Sequence, residues 1–137
     1  MNGLRTKSLY PEFRTFLSNY NIVSCAESAC DENLQIPGYH LFHKTRTNCK
    51  RTSGGLSAII KSEIADHVTC VHTDSPFVLW LKVDKSILNK QNNLVIGTVY
   101  IPPEGSPYSS RDAFDEVQQE IIDHFHEEKS ILLIVLC

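Results

Sequence analysis

A chain of 137 residues with a net charge of −3 fits one domain, large enough to bury roughly two-thirds of the surface its unfolded form exposes. Hydrophobic content of 42% against 21% charged excludes wholesale disorder, and the slightly acidic balance excludes a generally basic nucleic-acid coat. The longest apolar run, Ile131 to Cys137, is far shorter than the roughly 20 residues a membrane-crossing helix needs, and no basic segment followed by an apolar core opens the chain.

In chain order, Asn2-Gly3 reads as a tight turn or bulge. A helix is expected from Ser8, with Ser8 as cap, Pro11 in the first turn, and Leu9, Phe13, Phe16, Leu17 and Tyr20 forming an apolar face. Asn19 and Asn21 end it, and Ile22 to Ala26 follows as a short buried strand leading to Glu27. The turn signal Ile36-Pro37-Gly38 introduces a strand over Tyr39 to His43, and Gly54-Gly55 opens another over Leu56 to Lys61. These two runs make a hairpin with a long arm.

That arm is locally basic. Lys44, Arg46, Lys50 and Arg51 occur with no acid among them, which suits either a solvated loop or one that touches phosphates.

Cys70 to His72 is a weak strand signal, whereas Phe77 to Val83 and Leu94 to Tyr100 are strongly β in composition, with the polar Asn89 to Asn93 as a turn between them. Pro102, Pro103, Gly105 and Pro107 then stop any ladder. Ser109 or Ser110 caps a second long helix, with Asp112, Asp115 and Glu116 near its positive end and Phe114, Val117, Ile121, Ile122 and Phe125 as its expected buried face. Ile131 to Leu136 is an apolar strand. Both ends of the chain are expected to fall inside secondary structure.

Five cysteines, an odd number without a C-x-x-C pair, read as reduced thiols in an intracellular compartment, nuclear or cytoplasmic. His124 and His126 are two apart, a spacing that points them to different faces of a helix, so zinc is not indicated.

Three polar groups are expected at strand ends: Asn2, Glu27 and Tyr100. Glu27 reads either as the point where its strand meets water or as a metal ligand or acid at the carboxyl edge of a sheet. A carboxylate for Mg²⁺, an amide and a phenol are residue types suited to phosphate-ester hydrolysis, in which positioning and charge stabilisation dominate.

The order of these segments resembles the endonuclease/exonuclease/phosphatase family, the deoxyribonuclease-I-like fold, and within it the endonuclease domains of LINE-type retrotransposons. Asn2-Gly3-Leu4-Arg5 is similar to the end of the family's opening Asn-x-Asn/Asp-Gly-Leu element, and Ser24 to Ser28 to its strand ending in Glu-Thr or Glu-Ser. Ile36-Pro37-Gly38-Tyr39, Arg46-Thr47 and Gly54 to Ile60 resemble the middle segment, in which a paired-glycine strand follows a basic loop. Gly97 to Pro103 resembles the Val-Tyr-x-Pro-Pro signature.

The resemblance implies an α+β fold, part of a four-layer α/β/β/α sandwich without its first strand and its carboxyl-terminal half. It implies one partial domain over residues 1–137, with Mg²⁺ as cofactor bound by Glu27, catalytic roles for Asn2 and Tyr100, and DNA as partner, contacted by Lys44, Arg46, Lys50 and Arg51. In a complete member a Glu-bound metal neutralises the developing charge and a histidine deprotonates water. The Gly-Asp-x-Asn and Ser-Asp-His segments that supply the other members of that set do not occur in these 137 residues. Loss of one electrostatic donor costs about 10²–10³ in rate, and loss of several leaves little beyond binding, so the isolated chain is expected to be inactive.

Two other readings stand beside this one. The chain could be a non-catalytic intracellular α/β binding domain, or a phosphatase-branch member of the same fold acting on a small phosphoester. On any of these readings, uncovered sheet edges are expected to favour self-association, and no membrane partner is expected.

Overall fold

The structure is a computed structural model, and it describes residues 10–26, 35–44, 55–101 and 110–136. Helices and strands both contribute, in an α+β arrangement, and the chain divides into two compact units, 1–66 and 67–137.

The first unit comprises α1 (Pro11–Ser18), β1 (Ile22–Ala26), β2 (Tyr39–Lys44), β3 (Leu56–Lys61) and the one-turn helix α2 (Ser62–Ala65). Its three strands form an antiparallel sheet in the order β1-β3-β2. The expected β2–β3 hairpin is present, with Tyr39 opposite Lys61 and Lys44 opposite Leu56.

Pro11 occupies the first turn of α1, where its missing N–H costs nothing. The expected cap, Ser8, lies outside the described residues, and the residue at the cap position is Tyr10, in extended conformation and without a side-chain cap bond. Leu17 is fully buried and packs with Cys25, Ile36 and Ile59. Phe16 and Tyr20, expected on the same apolar face, are about half exposed and lean on each other with ring centroids 5.1 Å apart. Phe16 lies about 100° around the helix from Leu17, and Tyr20 follows the end of α1 at Ser18.

The second unit comprises β4 (Val68–Val71), β5 (Val78–Val83), the short helix α3 (Lys85–Leu88), β6 (Leu94–Tyr100), α4 (Ser110–Phe125) and β7 (Ile131–Leu136). Its sheet runs β4-β5-β6-β7, antiparallel except for the β6–β7 pair, which the α4 crossover makes parallel. The expected turn between β5 and β6 contains α3, which Asp84 caps by accepting a 2.8 Å hydrogen bond from the Ser86 N–H. Asn89 ends it in the left-handed conformation, with φ 51°.

Trp80 is the centre of this unit. It is fully buried among Val78, Val95, Val99, Val117 and Phe125, with its ring centroid 4.8 Å from that of Phe125. Gly97, directly opposite in register, makes room for it: a Cβ there would collide with the indole and come within 2.9 Å of Leu133.

The buried face of α4 agrees with the sequence reading at Val117, Ile121 and Phe125 and corrects it at Phe114 and Ile122. Ala113, Val117, Glu120 and Phe125 are buried, while Phe114 and Ile122 are more than half exposed. Two stripes of similar pitch run along this helix, and the one that meets the sheet contains a carboxylate.

Candidate functional site

Tyr100 is the last residue of β6, an interior strand, and is 6% exposed. Its backbone N–H donates to the Phe77 carbonyl at 2.8 Å, and it lies opposite Leu136 in register. Val95, Gly97 and Val99 face Trp80 and α4, so strand alternation puts Ile96, Thr98 and Tyr100 on the other face of the sheet. Thr98 is also fully buried. A buried hydroxyl and a buried phenol therefore share one face toward the carboxyl end of β6.

Lys44 is the last residue of β2. Gly55, across the hairpin from it, has φ 132°, and a Cβ at that position would approach the Lys44 carbonyl oxygen to 2.6 Å and His43 Cε1 to 3.3 Å. Both the conformation and the close approach require glycine. Beside it, His43 Nδ1 and Ser57 Oγ are 2.7 Å apart, with Ser57 fully buried. The pair is a direct cross-strand neighbour, and Cys25 continues the same row on β1. It pins both strands where the basic arm leaves the sheet.

Arg46, Lys50 and Arg51 on that arm lie outside the described residues, as do Asn2 and Glu27; β1 ends at Ala26, one position before Glu27. The described geometry thus bears on Tyr100, in the second unit, and Lys44, in the first. The donor set that the resemblance gives to Mg²⁺ within this chain is Glu27. Among the described residues no group of three or more His, Cys, Asp or Glu side chains converges to hold a metal.

The sequence reading missed a buried carboxylate of the second unit that gathers three hydrogen bonds. Glu120, 8% exposed, accepts hydrogen bonds from Trp80 Nε1 at 2.9 Å and Thr73 Oγ1 at 2.6 Å on one oxygen, and from the Ser75 N–H at 2.9 Å on the other. The Ser75 hydroxyl donates in turn to Glu116 at 2.8 Å. A cavity of about 250 Å³ opens beside this group, lined by Asp74, Ser75, Glu116, Gln119, Asp123 and His124 as well as Glu120. With three donors already on its oxygens, Glu120 serves as the anchor for the segment between β4 and β5. Burying a carboxylate is tolerable on such terms because charge-assisted hydrogen bonds replace its hydration.

Compared with protein-family models and with curated proteins, the chain matches none. The functional reading therefore stands on the chain's own residues. Among the described residues, no helix is long and apolar enough to cross a membrane.

Proposed function

We propose that this chain is part of a Mg²⁺-dependent phosphodiesterase or DNA endonuclease domain of the retrotransposon type, in a four-layer deoxyribonuclease-I-like sandwich, and that it binds phosphodiesters without hydrolysing them on its own. The observation that carries the reading is Tyr100: a buried phenol at the carboxyl end of an interior strand, on the sheet face away from α4, followed at once by Ile101-Pro102-Pro103. A phenol in that setting can donate its O–H to an anionic oxygen, the role such a site asks of it.

Supporting this, the Lys44 and Gly55 ends of the β2–β3 hairpin are fixed, so a basic arm of ten intervening residues leaves from a rigid base. The sequence puts Glu27 directly after β1. With neither Gly-Asp-x-Asn nor Ser-Asp-His in these residues, the groups that would orient and deprotonate water are not supplied by this chain.

The test is binding of a short labelled DNA duplex, followed by fluorescence anisotropy with and without Mg²⁺, beside nicking of supercoiled plasmid. Expected are salt-sensitive binding that weakens in Tyr100→Phe and in a Lys44→Ala/Arg46→Ala variant, a dependence on Mg²⁺ that Glu27→Gln removes, and no nicking. Binding indifferent to all three variants would sink the nuclease reading. Nicking by the wild-type chain that Glu27→Gln abolishes would keep the family and overturn the inactivity.

A further inference from the structure

The outer edge of β7 carries an inference independent of the proposed function. Among the described residues β7 is the last strand of its sheet, and its one neighbour is β6. In the parallel register Val95 lies opposite Ile131 and Tyr100 opposite Leu136, the Val95 N–H donates to the Ser130 carbonyl, and the Ile101 N–H donates to that of Leu136. This fixes the direction of every peptide group along the strand. Leu132, Ile134 and Leu136 turn their N–H and C=O groups toward β6, and Ile131, Leu133 and Val135 turn theirs outward.

That outward ladder is flanked by apolar side chains on both faces. Leu132 is 49% exposed on one face, and Leu133 and Val135 are 42% and 47% exposed on the α4 face. From Ile131 to Leu136 there is no charge, proline or glycine, none of the usual devices that blunt an edge. An open row of alternating donors and acceptors accepts one kind of occupant, another extended strand.

We propose that this occupant is β7 of a second copy of the chain, paired antiparallel about a two-fold axis through Leu133. In that register Leu133 exchanges N–H and C=O with Leu133 of the second copy, and Ile131 and Val135 exchange theirs with Val135 and Ile131. Every outward peptide group of the strand is then satisfied, which a register shifted by two residues does not achieve. The side chains agree with the backbone: Leu132 meets Ile134 of the second copy on one face, and Ile131 meets Val135 on the other. Neutral residues oppose neutral residues throughout, so no like-charge penalty opposes self-pairing.

The association closes at two. The pairing is isologous and uses up this edge of the four-stranded sheet in each copy, while the opposite edge of that sheet, β4, is a four-residue strand with exposed Thr69. A single strand pair lies at the small end of the interface scale, so the dimer dissociates on dilution.

The test is sedimentation equilibrium together with amide hydrogen exchange on the wild-type chain, between about 10 µM and about 1 mM, the range in which an interface this small equilibrates. The amides of Ile131, Leu133 and Val135 are expected to gain roughly tenfold or more protection as dimer forms, whereas those of Leu132, Ile134 and Leu136 are protected throughout. Val135→Lys is expected to stay monomeric over the same range with an unchanged far-ultraviolet circular dichroism spectrum. Ile122→Lys, which removes an equally exposed apolar side chain from α4, is expected to dimerise like wild type. A wild-type monomer at the highest concentration would overturn the proposal. So would a dimer whose three outward amides still exchange freely, a Val135→Lys dimer, a monomeric Ile122→Lys, or growth beyond two copies.

Discussion

The indole N–H of Trp80 ends 2.9 Å from a carboxylate oxygen of Glu120, forty residues further along the chain. Both groups are buried, and each makes the other's burial tolerable: the indole gains an acceptor and the carboxylate a donor. Thr73 and the Ser75 N–H complete the arrangement, so one helix side chain holds the sheet and the segment between β4 and β5 together.

Replacing Glu120 by Gln keeps the volume but turns one acceptor oxygen into a donor amide, which then faces at least one of these donors. The loss is expected to be about 1–3 kcal/mol, and Glu120→Leu, which strands all three donors, should cost more. Trp80 is the only tryptophan, so urea titration followed by its fluorescence reports on this unit directly. Wild-type stability in Glu120→Gln would mean that the network contributes nothing.

Gly97→Ala should destabilise the same unit by overpacking. The added methyl would collide with the Trp80 ring and press on Leu133, and the ring is already held by Phe125 and by its bond to Glu120. Neither neighbour can retreat without breaking a contact. The expected cost is about 1–3 kcal/mol, read from the shift of the urea midpoint at constant slope. A variant equal to wild type would show that Trp80 can move.

The cross-strand pair of His43 and Ser57 makes a third prediction. Ser57→Ala removes a buried hydroxyl from an imidazole nitrogen 2.7 Å away and should cost about 0.5–1.5 kcal/mol. The more specific readout is the Nδ1 resonance of His43, which should shift in Ser57→Ala. An unmoved resonance would mean that the two groups are adjacent without being bonded.

What was legible in the sequence, and what was not, divides along physical lines. β3, β5, β6 and β7 are local runs of β-branched and aromatic residues, and their bounds fall where the composition puts them or within a residue of it. α4 was legible as a helix, and its buried stripe was legible in part. Val117, Ile121 and Phe125 pack where their apolarity puts them, but Phe114 and Ile122 stay exposed, and the place of Glu120 on the sheet follows from the donors that meet it there, Trp80 among them. Local periodicity does not encode a partner forty residues away. The His43–Ser57 pair is equally non-local, although a serine inside the apolar run Leu56 to Ile60 was a visible hint. Glu27 and Tyr100 drew notice because strands end at or beside them, a signal that local composition does carry.

The last prediction concerns pH. Asp84 caps α3, and its bond from the Ser86 N–H, followed by the Ser86 side chain, holds its carboxyl below the ordinary value of 3.8. A carboxylate whose folded pKa is depressed stabilises the fold while ionised in both states. That contribution is therefore complete above the unfolded value, near pH 4 and upward, and is lost as pH falls through the lower folded value. The difference in stability between wild type and Asp84→Ala should accordingly be constant from neutral pH down to about pH 5 and shrink below about pH 4. Asp84→Asn, which caps without titrating, should keep a pH-independent part of that difference. Thermal unfolding of the three proteins across this range is the measurement. A difference that grew toward acid would mean that Asp84 is destabilised as the anion and does not act as the cap of α3.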